Sequence, residues 1–351
     1  MRGSRKMEHI NQALRHQPAS GNGMADVRPV PLSLAETRLD SVSLSTRIGE
    51  LNLSSPIVIN AMTGGALETE RVNRELAEAA AACGLAMAVG SQMAAIKDPN
   101  VQNSYRVVRK THPNGVLFAN LGTEATVEQA QVAVDMLEAN ALQIHLNMMQ
   151  ELVMPEGDRD FTGASRRIEA IVRAVNVPVI VKEVGFGITG ETAARLRELG
   201  VRFVDVGGQG GTDFSAIENN RREMPYAFLF AGWGCPTAIS LLETARHYPP
   251  ESLLASGGIA TGLDAVKALI IGASAVGMAG SLLRVQQQSG ASGLIGHIKQ
   301  IEEELRILMA ALGAMKIADL WQVPIVIGGE TGSWCRERGI DTTAYARRAN
   351  R

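Results

Sequence analysis

Cysteine is scarce: the 351 residues hold three, Cys83, Cys235 and Cys335, odd in number and far apart. That excludes a disulfide framework and a CxxC metal site, and it predicts a reducing, cytoplasmic setting. Net charge is nearly absent as well. With 34 Lys+Arg against 36 Asp+Glu, a formal −2, no global field draws nucleic acid or a membrane surface, so an anionic partner must be held locally. The longest uncharged apolar run, Ala268 to Leu283, contains three glycines and falls short of the ~20 residues a membrane helix needs. The N-terminal stretch is polar, without the apolar core of a signal peptide.

Familiar chemical motifs are missing too. GxSxG, HxH and HExxH do not occur, and no cysteine has a histidine at a telling position, so serine or cysteine hydrolysis and zinc chemistry lack their residues. No GxGxxG follows the first strand, which argues against a doubly wound dinucleotide fold.

What is present is alternation. From residue 56 onward short β-rich runs alternate with longer Ala-, Leu- and Glu-rich stretches of helical period. Eight runs read as strands: PIVINA (56–61), LAMAV (85–89), VLFAN (116–120), ALQIHL (141–146), PVIVKE (178–183), RFVDVG (202–207), SLLASGG (252–258) and AVGMAG (275–280). Helices are expected over 69–83, 126–139, 165–175, 189–199, 237–247 and 263–271, several opening on Ser or Thr and two closing on Gly84 and Gly200, with a last one over 294–312. Eight such units predict a (β/α)8 TIM barrel over 56–351. Residues 1–55, polar and without strong period, read as an N-terminal arm that docks on the barrel or on a neighbour. The stretch 207–233 is long for a βα loop, as lids and binding loops are.

If the strands are right, their C-terminal ends bring one set of residues to one mouth: AMTGG (61–65), GSQ (90–92), Asn120, HLNMMQE (145–151), KE (182–183), GGQGGT (207–212), SGG (256–258) and MAG (278–280). The glycine pairs after strands seven and eight sit where barrels bind phosphate through backbone N–H groups, though tight turns alone also use glycine. Lys182 ends an apolar strand and points its ammonium into the mouth; a pair with Glu183 is disfavoured because adjacent strand residues face opposite sides. Glu151 is an acid available to a hard cation such as Mg²⁺, which takes one or two carboxylates plus substrate oxygens and water. His145 and Asn147 read as ligand contacts or as satisfied polar groups of the rim, Met148 and Met149 as packing residues. The basic cluster Arg5, Lys6, His9 suits a diphosphate, or is an ordinary solvated terminus.

Taken in order, RK..H near the start, then AMTGG, VGSQ, FANLG, IHLN..QE, MPEGDR.F, VKEVGFG, GGQGGT.F, SGG and GMAG, the chain strongly resembles the type 2 isopentenyl-diphosphate isomerases, FMN-dependent (β/α)8 barrels, over nearly its whole length. The segment 220–230 matches none of these motifs. The resemblance implies interconversion of isopentenyl and dimethylallyl diphosphate with no net oxidation, using reduced FMN, NADPH as its reductant, and Mg²⁺ on the diphosphate. It further implies FMN contacts from Ala61, Met62, Thr63, Ser91, Asn120, Lys182 and Thr212, with Gly257, Gly258, Ala279 and Gly280 around the phosphate. Gln150 is implied beside the alkene as the catalytic residue, and Glu151 on the metal. Substrate contacts are implied for Arg5, Lys6, His9, Ser91, Gln92, Met93, His145, Asn147 and Gln150, Arg5 and Lys6 coming from a neighbouring subunit of a homo-oligomer (tetramer or octamer).

Two other readings remain at this point. An FMN-dependent 2-hydroxy acid oxidase or dehydrogenase shares the barrel but carries a His-Gly-Gly-Arg type segment near strand seven, which SGGIATG (256–262) lacks. A non-enzymatic flavin- or phosphate-binding barrel is the third, since fold does not establish chemistry.

Overall fold

A computed structural model describes residues 21–227, 229, 230 and 232–348. Eight parallel strands close into one barrel: β1 (Ile57–Ile59), β2 (Ala86–Ala88), β3 (Leu117–Gly122), β4 (Ala141–Leu146), β5 (Val179–Glu183), β6 (Phe203–Asp205), β7 (Leu253–Ser256) and β8 (Ala275–Met278). Seven fall within the runs expected from the sequence, β3 continues two residues past its expected end at Asn120, and β8 closes on β1 with Val276 opposite Ile57.

The period of two explains why these runs make walls with two different faces. In ALQIHL, Leu142 and Ile144 join the apolar layer between sheet and helices, while Ala141 joins the cluster inside the barrel. Both faces are covered, so the outward positions are apolar along the whole strand. Inside, the layers differ. The lower one is apolar, with Val58, Phe118, Ala141, Ile180, Phe203 and Leu254 packed together, and the upper one carries Asn60, Asn120, Gln143, Lys182, Asp205 and Ser256, all buried.

A hairpin, Thr46–Ile48 against Leu51–Leu53, seals the lower end, with Ile48 and Leu53 in the interior cluster. Its turn needs Gly49: φ is +54°, and a Cβ there would stand 2.3 Å from the Phe203 ring. Upstream, Val27–Pro29 pairs antiparallel with Ile325–Ile327. The described part of the first 55 residues therefore lies on the barrel of its own chain.

Eight helices alternate with the strands: α1 (Thr69–Cys83), α2 (Asn103–Thr111), α3 (Val127–Leu137), α4 (Ala164–Ala174), α5 (Gly190–Glu198), α6 (Thr237–Thr244), α7 (Gly262–Ile271) and α8 (Gly280–Ala311). Thr126, Thr189 and Thr261 cap α3, α5 and α7 through their side chains, and α1 stops at Gly84 in the left-handed region. The last helix begins fourteen residues before the expected Leu294, at Gly280, and is interrupted at Gly290. The QQQSGASG stretch has too little apolar periodicity to reveal it.

Candidate active site

The upper mouth opens into a cavity of about 590 Å³. Ala61, Met62, Thr63, Ser91, Met93, Asn120, His145, Asn147, Gln150, Glu151, Lys182, Thr212, Gly257, Gly258, Ala279 and Gly280 all line it. Sixteen side chains and backbones named from sequence thus share one wall. Gln92 does not line it. It is fully buried, its Nε2 donating to Ala133 O at 2.9 Å and its Oε1 accepting the Asn120 N–H at 3.0 Å, so the expected substrate contact is instead a brace behind Asn120. Arg5, Lys6 and His9 lie outside the described residues.

The glycines permit close approach of backbones at the phosphate end. Gly257 has φ +106°, and a Cβ on it would fall 2.0 Å from Gly208 O. Beside it the first turn of α8 presents N–H groups to the cavity, a ready site for an anion. Two hydroxyls in the cavity wall, Thr63 Oγ1 and Ser281 Oγ, are buried without a hydrogen-bond partner. Buried polar groups are normally satisfied, so these two, one after β1 and one at the start of α8, fit a polar ligand spanning the mouth. Ser281 and Arg284, also in the wall, were missed from sequence because they sit inside a helix that its Gly- and Ser-rich middle concealed.

Lys182 is buried, donates from Nζ to Glu183 O at 2.9 Å and has its pKa lowered by burial, against the opposing pull of Asp205 and Glu183. The Glu183 carboxylate faces elsewhere. Its Oε2 accepts the N–H groups of Val184, Gly185, Phe186 and Gly187 at 2.7, 2.8, 2.5 and 3.2 Å, which fixes the loop after β5. Burial still pushes its pKa up to about 7.

HLNMMQE turns at Asn147 into a short helix, Met148–Val153. Asn147 Nδ2 donates to Glu151 Oε1 at 2.9 Å, and the Asp158 N–H donates to Glu151 Oε2 at 2.9 Å. Burial raises the Glu151 pKa, helped by the negative charges of Asp158 and Glu124. A partly buried carboxylate among others is a place where a hard cation relieves repulsion. No group of three or more His, Cys, Asp or Glu side chains among the described residues is placed to hold a metal ion.

Gln150 meets the residue that sequence reasoning missed most. Its Nε2 donates to Oε1 of Glu218 at 3.2 Å. Glu218 is fully buried on a second loop helix, Phe214–Asn220, and is gripped by Arg221, which also holds Glu156 at 2.8 Å. The long β6–α6 loop is therefore part of the site, packed on the helix that carries Gln150 and Glu151.

Comparison with known proteins agrees with this geometry. The family model described as FMN-dependent dehydrogenase matches residues 92–325. An isopentenyl-diphosphate delta-isomerase of Geobacillus sp. (strain WCH70) is 52% identical over 98% of this chain and 99% of its own length. The chain belongs to the type 2 isopentenyl-diphosphate delta-isomerase family, within the FMN-dependent dehydrogenases. Isomerases of the same name from Bacillus licheniformis (52%, covering 99% of both chains) and Bacillus pumilus (50%, 100% of this chain and 99% of that one) match equally fully. Among solved structures, a mandelate oxidase superposes with TM-score 0.66 at 16% identity over 91% of this chain and 96% of its own. A flavocytochrome b2 gives 0.65 at 17% over 89% and 81%. Those two likenesses show the barrel. No helix among the described residues is long and apolar enough to cross a membrane.

Proposed function

We propose that this protein interconverts isopentenyl diphosphate and dimethylallyl diphosphate by a 1,3-allylic proton shift, in isoprenoid biosynthesis in the cytoplasm. The observation that carries this reading is 52% identity, end to end, to isomerases of that name. The cavity supports it. Ala61, Met62, Thr63, Ser91, Asn120, Lys182 and Thr212 would hold FMN, with Gly257, Gly258, Ala279, Gly280 and Ser281 meeting its phosphate; all line the cavity. Reduced FMN, formed at the expense of NADPH, supplies an acid–base atom for the alkene and an electron-rich face beside the developing cation.

The chain's own residues bind and orient. Lys182 would provide positive charge to a bound anionic flavin. Gln150, an amide too weak to protonate an alkene, holds or relays a proton between the reacting carbon and Glu218. Glu151 holds Mg²⁺ against the diphosphate, with His145 and Asn147 meeting the remaining oxygens and Ser91 and Met93 along the hydrocarbon path. Arg5, Lys6 and His9 of the N-terminal arm complete the diphosphate pocket, Arg5 and Lys6 contributed by a neighbouring subunit of a homo-oligomer, a tetramer or octamer. Proton gain at the terminal alkene carbon and proton loss from the methylene on the far side of the tertiary cationic carbon balance, so no reductant is consumed by turnover.

The deciding experiment is anaerobic conversion of labelled isopentenyl diphosphate, omitting FMN, Mg²⁺ and NADPH in turn. Conversion that needs reduced FMN and Mg²⁺ without stoichiometric NADPH consumption is expected. Folded, flavin-loaded protein that converts none, or that oxidises 2-hydroxy acids instead, overturns the reading.

A further inference from the structure

At the cavity floor six polar side chains, four of which line the cavity, form one chain of hydrogen bonds across the barrel. Asp205 accepts from Ser256 Oγ at 2.6 Å and Asn60 Nδ2 at 2.8 Å. Asn60 Oδ1 accepts from Gln143 Nε2 at 3.1 Å, Gln143 Oε1 from Asn120 Nδ2 at 3.0 Å, and Asn120 Oδ1 meets His145 Nδ1 at 2.8 Å. The first five are buried, Asp205 and Gln143 completely.

The direction of this chain is not free. The Ala61 backbone N–H, which can only donate, bonds Asn60 Oδ1 at 2.9 Å, and the Asp205 carboxylate takes the other end of the same amide. Asn60 is therefore pinned at both ends. Its oxygen demands a donor from Gln143, Gln143 then offers its oxygen to the Asn120 amide nitrogen, and Asn120 is left presenting an oxygen to His145. An amide oxygen accepts, so Nδ1 of His145 must carry hydrogen.

We propose that this buried relay fixes the imidazole of His145 with its proton on Nδ1, and that Gln143, which lies two residues along β4 and does not line the cavity, is the positioning residue that enforces it. In the neutral ring Nε2 is then an acceptor, and it donates to an ionised phosphate oxygen only after binding a second proton. That last consequence rests on His145 being a diphosphate contact; the tautomer does not.

The test is ¹⁵N NMR of the flavin-loaded, histidine-labelled protein, with the His145 signals among the six histidines assigned by their loss in His145→Gln. A pyrrole-type Nδ1 is expected in the wild type. In Gln143→Met, of similar volume and without the amide, Asn120 is free to turn over and Nδ1 shifts toward the pyridine type. Adding Asn120→Asp to that variant restores the pyrrole-type Nδ1, because a carboxylate can only accept; a general loss of packing would not be rescued in this way. A pyridine-type Nδ1 in the wild type, or an unmoved Nδ1 in folded Gln143→Met, overturns the relay. Isopentenyl diphosphate with Mg²⁺, added to the oxidised holoenzyme, is expected to turn Nε2 pyrrole-type. An unmoved Nε2 removes His145 from the diphosphate site while the Nδ1 result stands by itself.

Discussion

Gln150 Nε2 and Glu218 Oε1 stand 3.2 Å apart, joining the helix after β4 to the helix inside the β6–α6 loop. The contact places an amide at the cavity with a buried carboxylate directly behind it. An uncharged group at the reacting centre, backed by an acceptor that Arg221 holds in place, suits orientation and proton relay better than direct acid catalysis.

Shortening Gln150 to Asn withdraws the amide by about one bond, and misplacements of that order cost roughly 100-fold in rate. Gln150→Asn and Glu218→Gln are both expected to lower kcat by that order and to leave FMN content unchanged. Equal loss of flavin and turnover would make the pair a structural brace of the loop. Flavin absorbance and single-turnover rates on the same preparation separate the two.

Thr63 gives a prediction with opposite signs in two measurements. Its hydroxyl is buried and unpartnered in the protein alone, so Thr63→Val removes an unsatisfied group, and the flavin-free form is expected to melt no lower than wild type. If the hydroxyl is completed by FMN, the same change removes a hydrogen bond from the complex and raises the FMN Kd by about 5-fold, on the usual ~1 kcal/mol for such a bond. Titration calorimetry and a melting curve decide it; an unchanged Kd assigns the hydroxyl to something other than flavin.

The barrel was legible because both of its periodicities are strong. Strands such as PIVINA and PVIVKE carry outward apolar positions along their length, and helices such as 69–83 have caps and glycine stops that mark their ends. The mouth was legible because it is built from strand ends, whose direction follows from the same period. Gln92 misled for a physical reason: GSQ follows β2 at the rim, but a residue just past the strand end can turn outward, and here it braces Asn120 and Ala133. Glu218 was hidden just past GGQGGT.F, outside any motif, since a seven-residue helix is too short to show a period. Its role depends on Gln150, 68 residues away, and no local pattern records such a contact.

Glu151 bears on the metal. With both carboxylate oxygens already accepting hydrogen bonds and like charges nearby, it is placed but not neutralised. Glu151→Gln keeps the shape and the Asn147 contact while removing the charge. The Mg²⁺ concentration giving half-maximal turnover is expected to rise at least about 10-fold, the lower range seen when even outer metal partners are lost. An unaltered Mg²⁺ response would place the cation elsewhere in the mouth.

Glu183 offers a stability test. Burial lifts its pKa from 4.5 to about 7, against the backbone N–H groups of Phe186, Gly185 and Val184 and the charge of Lys182, which pull it down. A carboxyl whose pKa is higher folded than unfolded binds its proton more tightly in the folded state. Its contribution is therefore complete below pH 4.5, is lost progressively as pH rises to about 7, and is constant above. Glutamine at this position retains an acceptor for the loop but has no proton to lose. The melting temperature of wild type relative to Glu183→Gln is thus expected to fall between pH 4.5 and about 7 and then level off. A difference that stays flat across this window and drops instead as pH falls below 4.5 would show that the N–H groups outweigh burial and hold Glu183 ionised. In that case the loop after β5 is fastened by a charge rather than by a shared proton, and Lys182 has a permanent anion beside it at every working pH.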